Sequence, residues 1–274
     1  MKITKLLALI LAIVLSLGAM TSCDVVYTFT ADKLLTMADE KLMNEPYKMN
    51  IQVAFSSDNK ELNSVLSMVN DADLEVRMDG ENIAVNMDMW TEIMNEEVGI
   101  SMEYIIIKHM IYATASVEVR GMTQSLKQKA EMTKDEIDEF ISDNISDGEV
   151  MPSNFEKKDL KFSDGKFIIT CTDITKETAE DLEKEMMDQL GSISEVTEIE
   201  VEDVEVICTM NGLEYEKVKL SCKYLIKIGT EVFATVNYVS EIDYDYGEEY
   251  AVKKPDGAQG YLEVDYDDLL SDFS

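Results

Sequence analysis

Enzymatic chemistry needs reactive side chains at workable spacings, and this chain offers some types too rarely and others too often. His109 is the sole histidine. Serine–histidine hydrolysis would have to use it, yet it falls where the pattern reads as a hairpin turn, and no GxSxG accompanies it. A surface position is expected for it. The four cysteines, Cys23, Cys171, Cys208 and Cys222, include no CxxC pair, and a single histidine completes no zinc-type set. With 56 acidic residues, carboxylate pairs of the glycosidase kind arise from composition alone. Asp243-Tyr-Asp245-Tyr-Gly247 and Asp265-Tyr-Asp267-Asp268 offer oxygen ligands, but Gly247 comes one residue too early for an EF-hand loop. Alternating Asp and Tyr on a strand fits a solvated face opposite an aromatic one. No Gly-rich phosphate loop is present. No catalytic residue, metal or cofactor is therefore expected, and the protein is read as a non-enzyme.

Cys23 differs from the other cysteines by its setting. Lys2 and Lys5 precede an apolar run from Leu6 to Leu17, interrupted only by Ser16. That length suits the h-region of a secretory signal and is too short to span a bilayer. Met20, Thr21 and Ser22 then lead into Cys23, and Asp24 follows. Small residues before a lone cysteine resemble the lipobox of bacterial lipoproteins, with Met20 where Leu, Val or Ile is usual. The resemblance implies cleavage before Cys23 and attachment of diacylglycerol to its sulfur. Residues 1–22 would be the signal peptide. The mature protein would sit on the extracytoplasmic face of a bacterial cell membrane, held by acyl chains worth about 0.8 kcal/mol per buried CH₂. Ordinary secretion, with cleavage after Ala19 and a free thiol at Cys23, is the alternative.

Charge narrows the partners. The net charge is −32, and losing Lys2 and Lys5 with the signal would take it to −34. Such a chain repels nucleic acid and anionic headgroups, so no nucleic-acid partner is expected. At 46% hydrophobic residues it is too apolar for a disordered acidic chain. Cys171, Cys208 and Cys222 admit either a Cys208–Cys222 bridge between neighbouring strands or three small core residues.

The elements that position these residues follow from periodicity. Residues 23–29 read as a short tether. Thr30 caps a helix with Leu34, Leu35, Ala38 and Leu42 on one side, stopped by Pro46. Tyr47, Met49, Ile51, Val53 and Phe55 then alternate with polar neighbours, which predicts a strand with one buried face. Leu74, Val76 and Met78 repeat that pattern before Gly80, and Ile83, Val85, Met87 and Met89 repeat it after. Further strands are predicted from Ile100 to Ile107 and from Met110 to Val119. Thr133-Lys-Asp-Glu136 is a capping box opening a helix with Ile137, Phe140, Ile141 and Ile145 on one side. Ser163-Asp-Gly165 marks a hairpin. A helix follows from Lys176 to Leu190, and strands resume at Val201–Met210, Glu214–Lys227 and Glu231–Tyr244. The stretch 256–274 reads as an acidic tail.

The capped helix, the Met-rich strands (KMNIQVAF, LEVRMDG, IAVNMDM), the central interruption, the hairpin LKFSDGKFIITCTDI and the closing meander together resemble lipoproteins of Gram-positive bacteria. Their domain is similar to the LolA/LolB/LppX-type lipoprotein and lipid carriers. The resemblance covers residues 30–255. It implies an α+β fold: a curved antiparallel sheet, an incomplete β-barrel, covered by amphipathic helices. It implies no catalytic site. The concave face would be walled by Ile51, Val53, Phe55, Val76, Met78, Val85 and Met87 and would accept a lipid or acyl chain, since methionine adapts to irregular apolar partners. Helices packed directly on that face would leave no cavity. In that case the protein would be an envelope module binding a protein partner through its acidic exterior.

Overall fold

The computed structural model describes residues 24–66, 72–93, 96–141, 152–190 and 196–273. Residues 1–22, expected as a signal peptide, and Cys23 and Ile145 lie outside the described residues. The body is one twelve-stranded sheet. Strands β1 (Tyr47–Ser57), β2 (Ala72–Asp79), β3 (Asn82–Ile93), β4 (Glu96–Ile107), β5 (Met110–Val119) and β6 (Met122–Glu131) form one antiparallel meander. Strands β7 (Phe155–Ser163), β8 (Lys166–Ile174), β9 (Glu198–Asn211), β10 (Glu214–Ile228) and β11 (Glu231–Tyr246) form a second. β11 returns to pair with β1, and this pairing fuses the two meanders. The short strand β12 (Leu262–Glu263) runs parallel to β6. One edge of the sheet is therefore β12 and the other β7.

Turn chemistry fits this layout. Asp164 and Gly165 both have positive φ, 53° and 81°, as a two-residue hairpin with a primed turn demands. The helices are α1 (Asp24–Leu42), α2 (Lys60–Leu66), α3 (Lys134–Ile141), α4 (Lys176–Leu190) and α5 (Tyr266–Phe273). At the start of α3 the capping box is formed: Glu136 Oε2 accepts from the Thr133 backbone N–H at 2.6 Å, and the Glu136 N–H donates to Thr133 Oγ1 at 3.3 Å.

The expected α+β half-barrel roofed by helices is overturned. The sheet is open and mixed, and strands dominate it. Dimensions supply the reason. Twelve strands spaced about 4.8 Å apart make a sheet about 53 Å across, whereas the 15-residue α4 is about 22 Å long. Period-two hydropathy specifies a dry face. It specifies neither closure nor what covers that face.

Coverage is therefore local. Ala31, Leu35 and Ala38 of α1 pack with Leu182 of α4 onto Cys171, Val206, Cys208 and Ile226 of the second meander. Leu62 and Leu66 of α2 border the same cluster. Ile137 and Phe140 of α3 and Leu269 of α5 pack on Ile83, Ile106 and Ile111. The helix α1 spans Asp24–Leu42, so residues 24–29 of the expected tether are helical.

The acidic tail is part of the body. Residues 247–261 cross the polar side of the first meander, where Ala258 and Tyr261 bury against Ala84, Ile105 and Tyr112. The chain then rounds the β6 edge as β12 and returns on the apolar side as α5, where Leu269 is 0% exposed.

Candidate functional site

The two sides of the first meander differ in chemistry. On the apolar side the register aligns Tyr47, Met78, Ile83, Ile106 and Ile111 in one row. Met49, Val76, Val85, Tyr104 and Ala113 form the next. Ile51, Leu74, Met87, Met102, Ala115 and Leu126 make a third row. The first two rows lie under helix: the Phe140 ring meets Tyr104 edge-on at 5.7 Å, and Leu42 of α1 borders Tyr47, Met49 and Val76.

The third row is different. Met87, Met102, Ala115 and Leu126 join none of the buried clusters of described residues, nor do Ile100 and Val117 one row further on. Leu126 is 39% and Val117 44% exposed. The sequence-derived wall is thus split. Val76, Met78 and Val85 are packed core. Ile51 packs, half-buried, against the Tyr47, Met49 and Val76 cluster, whereas Val53 and Met87 join none of the buried clusters of described residues. Phe55 packs against Tyr238 at 5.0 Å, with Cys222 next in register.

On the opposite side the alternate residues of β1–β5 line an open hollow of about 550 Å³. Its floor holds the amides of Asn50, Gln52 and Asn86, the carboxylates of Asp73, Glu75, Asp88 and Glu103, and the hydroxyls of Ser101 and Thr114. One rim is the crossing segment: the Tyr261 hydroxyl hydrogen-bonds Thr114 Oγ1 at 2.9 Å. A second hollow of about 150 Å³ shares Asp88 and Ser101 and is bounded by Trp90, Gly99, Glu118 and Thr123.

The same polar side continues across β1 onto β10 and β11 with different electrostatics. There the acids are matched by lysines. Lys217 reaches Glu241 and Asp243, Lys219 reaches Glu241 at 2.9 Å, and Lys48 reaches Asp245 at 3.2 Å. Hydrogen bonds from Lys219 and Lys217 hold the Glu241 carboxyl below its ordinary range. Asp243 and Asp245, weighed above as calcium ligands, are engaged in these pairs. In the hollow, Glu75 pairs with Arg77, while no lysine, arginine or histidine lines the floor.

The remaining reactive groups are sealed or dispersed. Cys171, Cys208 and Cys222 are free thiols in the core. Burial pushes Cys171 and Cys222 up to about 11 and raises Cys208 further. His109 is exposed in the β4–β5 turn. Among the described residues no group of His, Cys, Asp and Glu is arranged to hold a metal ion, and no helix is long and apolar enough to cross a membrane.

Sequence reasoning missed the polar hollow, because polar positions on a half-buried strand read as plain solvated surface. The available signal was the single tryptophan on a polar phase of β3, in a chain whose next strand carries Gly99. No protein-family model matches the chain, and no curated protein is significantly similar to it.

Proposed function

We propose that the protein is a non-enzymatic binding protein, anchored through acylated Cys23 to the outer face of a bacterial membrane, that holds an acyl chain against the open apolar strip of β1–β6. One observation carries this reading. Met87, Met102, Ala115 and Leu126 form a continuous apolar row that no helix among the described residues packs into its core. Each apolar Å² withdrawn from water is worth about 25 cal/mol, so an acyl chain laid along such a row gains more than scattered surface residues supply. Methionine at two positions of the row accommodates chains of varied shape.

The test is native mass spectrometry of the mature protein extracted from membranes. The expected result is a covalent diacylglyceryl mass on the peptide beginning at Cys23 and a retained lipid released by collisional activation. Met87→Asp with Met102→Asp should abolish the retained lipid and leave the covalent mass. An unmodified Cys23 peptide overturns the anchor, and a wild-type protein without retained lipid overturns the acyl site.

A further inference from the structure

We propose that the polar hollow on β1–β5 is a glycan-binding groove with Trp90 as its stacking platform, taking neutral or amino-bearing sugars and rejecting anionic ones. The site lies on the side of the sheet opposite the apolar strip and is independent of the anchor.

The platform comes first. Trp90 is the only tryptophan and is 48% exposed, among polar neighbours and away from the apolar cluster under Ala258 and Tyr261 on the same side of the sheet. Its six-membered ring lies across Gly99 of the next strand. A Cβ at Gly99 would meet Cη2 and Cζ3 at 2.9 Å and Cε3 at 3.2 Å. The absence of a side chain there lets the ring settle on the backbone, with its other face outward. A rigid apolar plate held in this way is costly to leave in water, and orienting it on binding costs little entropy. The C–H face of a pyranose ring covers such a plate while its hydroxyls stay directed at polar neighbours. Amphipathic aromatic surfaces favour partners of that kind.

The polar neighbours are in place. Asp88 and Ser101 belong both to the hollow beside Trp90 and to the larger one. A ligand stacked on Trp90 therefore continues onto Asn86, Gln52, Asp73 and Glu103 without leaving the groove. Carboxylates accept from two hydroxyls and amides both donate and accept, which matches adjacent sugar hydroxyls. All project from paired strands, so the array is held before binding. The volume of about 550 Å³ is that of a small-ligand site.

Charge sets the sign of the preference. Cations are few around the hollows: Arg77 pairs with Glu75 and Lys127 stands 5.7 Å from the Tyr261 ring at the rim, while none is among the lining residues. Across β1 the same side of the sheet has its acids laced to lysines. Asp73 and Asp88 stand directly opposite each other in the ladder, a like-charge pairing that opposes stability. Hydroxyl or ammonium donors from a sugar relieve it, whereas a uronate would worsen it.

The experiment uses the full mature chain and the fluorescence of Trp90, which reports without interference from a second indole. The probes are tetramers of glucose, N-acetylglucosamine, glucosamine and galacturonic acid. Expected are a saturable emission shift with at least one neutral or amino tetramer, none with the galacturonate, and a loss of about tenfold in calorimetric affinity for Trp90→Ala. Trp90→Phe should retain most of the binding. Equal melting temperatures of the variants separate lost stacking from lost folding. The proposal is overturned if none of the four tetramers binds, if galacturonate binds as well as the others, or if Trp90→Ala binds unchanged. It is also overturned if spermine alone saturates the site, which would make it a simple cation trap.

Discussion

The Tyr215 hydroxyl donates to Asp39 Oδ1 at 2.7 Å and so ties α1 to β10 across the second meander. Burial raises the Asp39 carboxyl above its ordinary range, opposed by this hydrogen bond. The sign follows. A carboxyl raised on folding binds its proton more tightly in the folded state, so stability falls as pH rises from the unfolded to the folded value. Asp39→Asn keeps an acceptor for Tyr215 and removes the ionisation cost. It should melt higher than the wild type at neutral pH and equal to it in acid, below both values. Tyr215→Phe should cost about 1–2 kcal/mol at pH 7 by leaving a half-buried carboxylate without its donor. Thermal denaturation over pH 3–8 checks both, and a neutral-pH loss for Asp39→Asn would contradict the sign.

Packed and open positions on the apolar side should respond differently to truncation. Ile106 is 0% exposed under α3 and α5, so Ile106→Ala should cost about 2–5 kcal/mol. Met87→Ala, one row onto the open strip, should cost under about 1 kcal/mol because its neighbours are already partly solvated. Urea denaturation of the delipidated protein measures the pair. Equal costs would mean that the strip is covered.

The three core thiols should be chemically silent. With Cys171 and Cys222 pushed up to about 11 by burial, thiolate is scarce at pH 8, and access is blocked as well. Iodoacetamide should label none of Cys171, Cys208 and Cys222 in the native protein and all of them in urea, as read by peptide mass. Native labelling, or a Cys208–Cys222 disulfide in the unreduced digest, would contradict the free, buried assignment.

The tail should be indispensable to the first meander. Leu269→Ala should cost about 2–5 kcal/mol by emptying a fully buried position. Truncation after Pro255 removes Tyr261 and Ala258 from the polar side as well, and should lower cooperativity as well as melting temperature. Calorimetry distinguishes the two effects.

Much of this body was legible in the residue pattern. The alternation through Met49–Phe55, Leu74–Met78 and Ile83–Met89 located β1–β3 and their dry side, and Thr133–Glu136 located α3. The strand β6 was not legible, because MTQSLKQKAE carries its apolar positions too sparsely and is held by its neighbour β5. The tail read as solvated because its composition is acidic, yet Ala258, Tyr261 and Leu269 are buried, and Val264 and Tyr266 pack beside Leu269. The roof was misjudged for a different reason. One-sided helices announce that they lie on something, but nothing in Ile137 or Leu182 reveals how much of a wide sheet they shade. The hollow escaped because its floor consists of the very positions that periodicity assigns to water.

The open edge at β7 has a consequence for how copies of the chain meet. A broad, unclosed ladder invites templated growth, each new copy hydrogen-bonding to the last. Here Lys157 and Lys161 stand exposed along the bare margin, and α1 braces it through Lys158 and Asp32 at 2.9 Å. Lys157 pairs with Asp173 and Lys161 with Asp159 at 2.9 Å, so a second molecule approaching margin to margin would have to desolvate charged side chains. At the far border β12 pairs only Gln128 and Lys129 of β6, and the exposed Lys127 charges the remainder. Replacing those charged pairs by apolar residues would remove what keeps the bare margin from templating a neighbour.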